Sequence, residues 1–185
     1  FNADWHGEKY FLEKDVNLVW SPNDAQAKIV ALINSAQHSV RVYNQEFASS
    51  SVKRALERKA ESGVSVQLIV PFKNYNTYEH SLHSVARKGV QVKLQKQLYT
   101  HAKAVLVDAK YTSAKTFVGS MNFSYYGLDR NRELGMIVND PDVAKRMLAT
   151  FQHDWQHAEV MPSPNKRRVA ATEAQCSENV CRLVA

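Results

Sequence analysis

Between Thr100 and Glu133 the sequence holds His101, Lys103, Ser120, Asn122 and Glu133: one titratable base, one cation, two neutral hydrogen-bonding groups and a carboxylate. Gathered on a single edge, one base, one cation and several hydrogen-bonding groups point to phosphodiester chemistry. The run His101-Ala102-Lys103-Ala104-Val105-Leu106-Val107-Asp108 is almost continuously small or branched and apolar, which predicts a strand buried on both faces. Alternation along such a strand puts His101 and Lys103 on one face. Asp108 has the opposite parity and sits at the far end, so it is read as structural.

A second pair repeats the spacing. Thr116-Phe117-Val118 predicts a short strand entering Gly119-Ser120-Met121-Asn122, where Ser120 and Asn122 are two apart and Gly119 permits close backbone approach. Glu133 opens a third apolar run, Leu134 to Val138. A carboxylate entering a buried strand needs a partner to offset desolvation, and His101 is the natural candidate.

With these residues in place the chain resembles the phospholipase D superfamily, whose signature is His-x-Lys-x4-Asp followed by Gly-Ser-x-Asn. The matching positions are His101, Lys103 and Asp108, then Gly119, Ser120 and Asn122, with Asn131 to Gly135 similar to the family's acidic element. The likeness extends loosely from about Val16 to Trp155. It implies a two-step displacement without metal or cofactor, in which His101 forms a phosphohistidine that water or an alcohol then releases. Glu133 would orient the imidazole, while Lys103, Asn122 and Ser120 would stabilise charge. The substrate implied is a phospholipid headgroup, with a metal-independent nuclease acting on nucleic acid as the alternative. A phosphate-binding remnant without turnover is the non-enzymatic alternative.

The mechanism requires a general acid distinct from the attacking group, and family members take the two histidines from two copies of the motif. None of His6, His38, His80, His83, His153 and His157 is followed by lysine two residues later, so a second half-domain is expected from elsewhere. Phe1, Asp4 and Trp5 recur at the same offsets as Phe151, Asp154 and Trp155. Residues 1–9 are therefore read as the end of a preceding repeat unit, making the chain the carboxy-terminal half of a duplicated enzyme; a homodimer partner is the alternative. Residues 10–160 are read as the catalytic domain and 161–185, after Pro162-Ser163-Pro164, as a flexible tail.

The elements that must position these residues follow from alternating patterns. Strands are expected at Val16 to Trp20, Ser39 to Tyr43, Val64 to Val70 and Val90 to Leu94, followed by the three strands of the site. Helices are expected at Pro22 to Ala36, with Ser21 as cap and Pro22 in the first turn, at Ser51 to Ser62 before Gly63, and at Thr77 to Lys88 before Gly89. A last helix runs from Pro141, capped by Asp140, to about His157. This is an α/β class, a mixed β-sheet sandwiched by helices on both faces, in the manner of a phospholipase D-like half-unit.

Glu46 and Phe47 follow a strand whose end faces the edge of the site, and Phe72 to Tyr78 forms a second such loop; either shapes substrate binding or packs as ordinary loop. Tyr125, Tyr126, Arg130 and Arg132 flank the motif and suit either stacking on a nucleic acid strand or a lipid headgroup interface. His80 and His83 lack further ligand partners and are read as solvated helix residues, not a metal site. Asn122-Phe123-Ser124 fits a glycosylation pattern by chance of its place in the motif.

The 185 residues, 44% of them hydrophobic, are enough for one core, and the formal charge of +6 favours an anionic partner. From Glu159 onward four cations face three acidic residues, so the basic character belongs mainly to the domain. No apolar stretch approaches the ~20 residues that cross a bilayer, and Phe1 to Lys9 lacks the apolar core of a secretion signal. For a chain read as one half of a larger protein, that says nothing of the parent. Cys176 and Cys181 form either a small-loop disulfide or two free thiols. The compartment stays open, with a bacterial envelope or secreted setting preferred.

Overall fold

In the computed structural model, residues 2–8 and 17–163 are described. A short helix α1 (Asn2–His6) comes first. Strand β1 (Leu18–Ser21), helix α2 (Ala25–Asn34) and strand β2 (Ser39–Tyr43) follow, then α3 (Ser50–Glu61), β3 (Ser65–Pro71), a 3-10 turn at Phe72–Asn74, α4 (Tyr75–Arg87) and β4 (Gln91–Gln95). The site strands β5 (Ala104–Val107) and β6 (Lys115–Gly119) lead through a five-residue helix α5 (Tyr125–Asp129) to β7 (Glu133–Val138). Helix α6 (Pro141–His157) and a two-residue strand β8 (Glu159–Val160) complete the order.

Among the described residues, eight strands form one sheet in the order β1-β7-β6-β5-β2-β3-β4-β8. β2, β3 and β4 are parallel because α3 and α4 carry the chain back between them, while β5, β6 and β7 zigzag antiparallel. Side-chain parity divides the interior. Val42, Leu68, Val105 and Phe117 face Ile29, Ile33, Leu56 and Leu82 of α2, α3 and α4, whereas Tyr43, Ile69, Ala104 and Leu106 face Leu148 and Phe151 of α6. The fold is thus the expected mixed sheet between helical layers, with each fully buried Leu, Ile or Phe worth roughly 1.5–3 kcal/mol.

Among the described residues the second layer is incomplete. α6 covers the middle strands, but on the same face of β6 and β7 Val118 is 43% exposed, Leu134 47% and Met136 46%. Val118 pairs with Met136, Met136 with Leu18 and Leu134 with Trp20, so these residues line up across three strands.

Local chemistry explains the element ends. Asp140 caps α6, accepting from the amides of Asp142 and Val143, and α6 has the limits its sequence predicts. Gly63 and Gly89 follow α3 and α4 with φ of 89° and 93°, a conformation that side-chain-bearing residues resist. α2 differs from expectation. It starts at Ala25 rather than Pro22, because Asp24 accepts from the Trp20 amide at 2.8 Å and its own amide donates to the Trp20 carbonyl at 2.8 Å, closing a turn before the helix. α5 and β8 are too short to leave a periodic pattern. His83 is buried rather than solvated, its Nε2 3.0 Å from Tyr75 Oη, and burial lowers its pKa. Of the tail expected at 161–185, Met161 packs against the core, while 164–185, with Cys176 and Cys181, lies outside the described residues, as do Phe1 and Lys9.

Candidate active site

The carboxyl ends of β2 and β6 meet the amino ends of β5 and β7 at one sheet edge, with Tyr43 opposite Ala104, Ala104 opposite Val118 and Gly119 opposite Gly135. His101 and Lys103 sit just before β5. The predicted strand over His101 to Asp108 is realised only from Ala104, so alternation does not set the two side chains; His101 is exposed while Lys103 is 4% exposed. The loop stays aligned because the Gly119 amide donates to the Lys103 carbonyl at 3.1 Å.

Lys103 Nζ donates to the His101 carbonyl at 2.8 Å and to Gln45 Oε1 at 3.0 Å. Burial lowers its pKa, and the nearby charges of Glu133 and Glu46 work against that. Glu133 does not pair with His101 as expected: its Oε2 accepts from Ser120 Oγ, a hydroxyl that also takes the Leu134 amide at 3.2 Å. The register decides this, because the Ser120 amide donates to the Leu134 carbonyl at 3.0 Å and brings the hydroxyl beside the carboxylate. The ring that accompanies His101 is Tyr99, with centroids 6.4 Å apart and planes 25° apart.

Asn122 lies half-buried in the next turn. Its carboxamide makes no hydrogen bond to a described residue, and Oδ1 is buried without a partner. The backbone there is held from two sides: the fully buried Asn44 accepts the Phe123 amide at 2.9 Å, and a Cβ added at Gly127 would lie 2.4 Å from the Asn122 carbonyl oxygen. Gly119 and Gly135 face each other beneath the Phe117 ring, whose Cζ is 2.7 Å from the position of a Gly119 Cβ, so neither strand has room for a side chain. Asp108 lies at the opposite edge. Its carboxylate accepts the amides of Gln37, His38 and Ser39 at 2.9, 2.8 and 2.8 Å. Burial alone would raise its pKa, but these bonds outweigh it and hold the group below its ordinary value.

Of the flanking residues, Glu46 reaches the site electrostatically, acting on Lys103 and on Tyr78, whose pKa is raised first by burial. Phe47 corrects the expectation: it is fully buried and bridges Phe123, so it packs the core and meets no substrate. Tyr125 is exposed, but Arg130 covers its ring at 5.2 Å and bonds its hydroxyl; no hydrogen bond or ring contact joins it to His101 or Lys103. Arg132 is exposed between α5 and β7. Asn44, Gln45, Tyr99 and Gly127 have clear places in the site that sequence reading passed over. The only signals were polarity at the end of a parallel strand and an aromatic two positions before His101. A cleft of about 540 Å³ lined by Lys110, Tyr111, Pro141 and Lys145 lies by the Asp108 end of the sheet, apart from this cluster.

Among the described residues no three His, Cys, Asp or Glu side chains gather as a metal site, and no helix is long and apolar enough to cross a membrane. His101 thus presents an exposed imidazole, Lys103 a buried ammonium and Asn122 a carboxamide without a hydrogen-bond partner among the described residues.

A family model described as "Cardiolipin synthase, PLD-like domain" matches residues 29–155. Cardiolipin synthase 1 of Staphylococcus epidermidis is 24% identical over 136 residues, which are 70% of this chain and 27% of that protein. The mitochondrial cardiolipin hydrolase of Mus musculus is 26% identical over 132 residues, 70% of this chain and 58% of that one. The chain thus spans under two thirds of either relative's length. Among solved structures, a phospholipase D family member, Nuc from Salmonella typhimurium, superposes with a TM-score of 0.71 at 24% identity, covering 79% of this chain and 97% of that one.

Proposed function

Because the chain belongs to the phospholipase D-like domain family, we propose that it supplies one half-site of a phosphodiesterase that acts on phospholipid through a phosphohistidine. The observation that carries this reading is the exposed imidazole of His101 beside the buried ammonium of Lys103. An imidazole nitrogen attacks phosphorus, an N–P bond forms, and the P–O bond to the leaving alcohol breaks as a general acid protonates it. Lys103 Nζ and the Asn122 amide meet charge on the non-bridging oxygens. Water or an alcohol then attacks the phosphohistidine, gives its proton back to that acid, and restores His101. Ser120 anchors Glu133, keeping a negative charge beside Lys103 that favours the ammonium form.

No hydrogen bond or ring contact joins another histidine among the described residues to this cluster. The general acid therefore comes from a second unit of the same fold. The bare apolar row of Val118, Leu134 and Met136 supports a docking face for it, since it adjoins Ser120 and Glu133 along the same strands. The sequence relatives named as cardiolipin synthases and a cardiolipin hydrolase favour phospholipid over nucleic acid.

The test is turnover of labelled anionic phospholipid vesicles stopped with alkaline denaturant, which preserves a P–N bond that acid would hydrolyse, with single-stranded DNA in parallel. Wild-type protein is expected to trap label on His101, and His101→Asn to trap none while its circular dichroism is unchanged. Near-wild-type turnover by His101→Asn overturns the assignment. Cleavage of DNA alone moves the substrate to nucleic acid.

A further inference from the structure

A lysine ammonium has three N–H donors. In this site two are committed to neutral acceptors, the His101 carbonyl and Gln45 Oε1, which leaves one N–H while the positive charge stays unneutralised by either bond. Gln45 is tied at its other end as well. Its Nε2 donates to Tyr99 Oη at 2.6 Å, and its main-chain carbonyl accepts from Asn74 Nδ2 at 2.9 Å. Tyr99 in turn lies with its ring beside that of His101. A single carboxamide therefore touches the cation on one side and, on the other, the aromatic group that accompanies the nucleophile.

The amide type matters. A carboxylate at position 45 would form an ion pair with Lys103 and cancel the charge meant for the phosphoryl oxygens. An apolar side chain would leave a buried N–H without an acceptor, at a real energetic cost. The loop is built to hold the side chain in place: Asn44 is fully buried and accepts the Glu46 and Phe123 amides, while Asn74 at the head of α4 holds the Gln45 backbone.

We propose that Gln45 is a positioning residue for the phosphodiester reaction, aiming the remaining N–H of Lys103 at the phosphate while holding Tyr99 alongside His101. The proposal rests on Lys103 meeting the phosphate. It assigns no direct contact between Gln45 and substrate.

The charged groups acting on Lys103 are Glu133, across the sheet edge, and Glu46, on the same loop as Gln45. Both favour the ammonium and neither is altered by substitution at 45. Loss of the amide acceptor then disfavours the ammonium, so the alkaline limb of the rate profile moves to lower pH. A carboxylate moves that limb to higher pH. A merely structural Gln45 would move neither.

The experiment compares Gln45→Met, Gln45→Glu and Tyr99→Phe with wild type on one phosphodiester substrate, reading kcat, KM, melting temperature and the pH profile. Gln45→Met is expected to lower kcat about tenfold with KM within about threefold, the loss that misaim of a charge-stabilising donor produces. Its alkaline limb shifts down, that of Gln45→Glu shifts up, and Tyr99→Phe gives a smaller loss of kcat. Gln45→Met with wild-type kcat and an unmoved alkaline limb overturns the proposal. Should Gln45→Met fail to fold, the upward shift in Gln45→Glu together with the loss in Tyr99→Phe supports it, and absence of both overturns it. Lys103→Ala is the control for the parent reading. A large loss there with silent Gln45 variants defeats only the role of Gln45, whereas an unaffected Lys103→Ala defeats the phosphate assignment itself.

Discussion

Lys103 shows how one side chain is tuned by competing effects. Burial disfavours its charge, Glu133 and Glu46 favour it, and two neutral acceptors fix its direction. Lys103→Ala and Asn122→Ala are each expected to lose on the order of 10² in kcat, as when an oxyanion donor is removed; steady-state assays showing under about a threefold change would reject those roles. Asp108 is the opposite case, a motif residue whose work is folding. Its φ of 49° is strained for a non-glycine residue, and three amides over-determine it. Asp108→Asn keeps one acceptor oxygen and turns an NH₂ toward an amide, costing roughly 2 kcal/mol. Because the folded pKa is lowered, the wild-type carboxylate contributes stability above its unfolded pKa of about 3.9, and that stability is lost as pH falls through the folded value. Urea denaturation between pH 2 and 6 should show a shallower acid slope for Asp108→Asn; an unchanged slope would contradict this linkage.

Among the elements, α5 is only five residues long yet has a large effect on the site. Ser124 caps it, accepting from the Gly127 amide at 3.3 Å, and Gly127 lets its first turn lie against the Asn122 backbone. A methyl group there would sit 2.4 Å from a carbonyl oxygen, a contact that forces the backbone apart. Gly127→Ala is expected to lower kcat at least tenfold and stability by about 1–3 kcal/mol, since displacing a positioned donor by ~1 Å is costly. Kinetics alongside thermal melting checks both arms, and wild-type values would show that the turn absorbs the methyl. β6 and β7 follow the same logic, with Gly119 and Gly135 leaving room for Phe117 so that Ser120 and Leu134 come into register.

For the whole molecule, the decisive feature is the unequal covering of the sheet. Among the described residues α2, α3, α4 and α5 pack one face, one long helix packs part of the other, and the apolar row on β6 and β7 is exposed beside the site. Met136→Lys puts a charge in the middle of that row without touching His101 or Lys103. Where the second unit is another copy of this chain, the expected outcome is a shift to lower mass in sedimentation, an activity that falls with dilution and an unchanged circular dichroism spectrum. A Met136→Lys protein with wild-type mass and activity would remove this face from the assembly.

The sequence by itself determined the inventory and its order: the paired spacings at His101 and Lys103 and at Ser120 and Asn122, the alternating elements, and α6 from cap to last residue. The spacings are read directly from the order of residues, and the elements are legible because strand alternation, helix period and capping act over a few residues. The tertiary structure alone decided that β5 begins after Lys103, that Glu133 belongs to Ser120, that Phe47 is core and that Gln45 stands between Lys103 and Tyr99. Each of these depends on groups brought together by sheet register, Lys103 and Gln45 being 58 residues apart in the chain. Local patterns specify which face a residue prefers, but the hydrogen-bond partner it finds is fixed only when distant strands pair and exclude water.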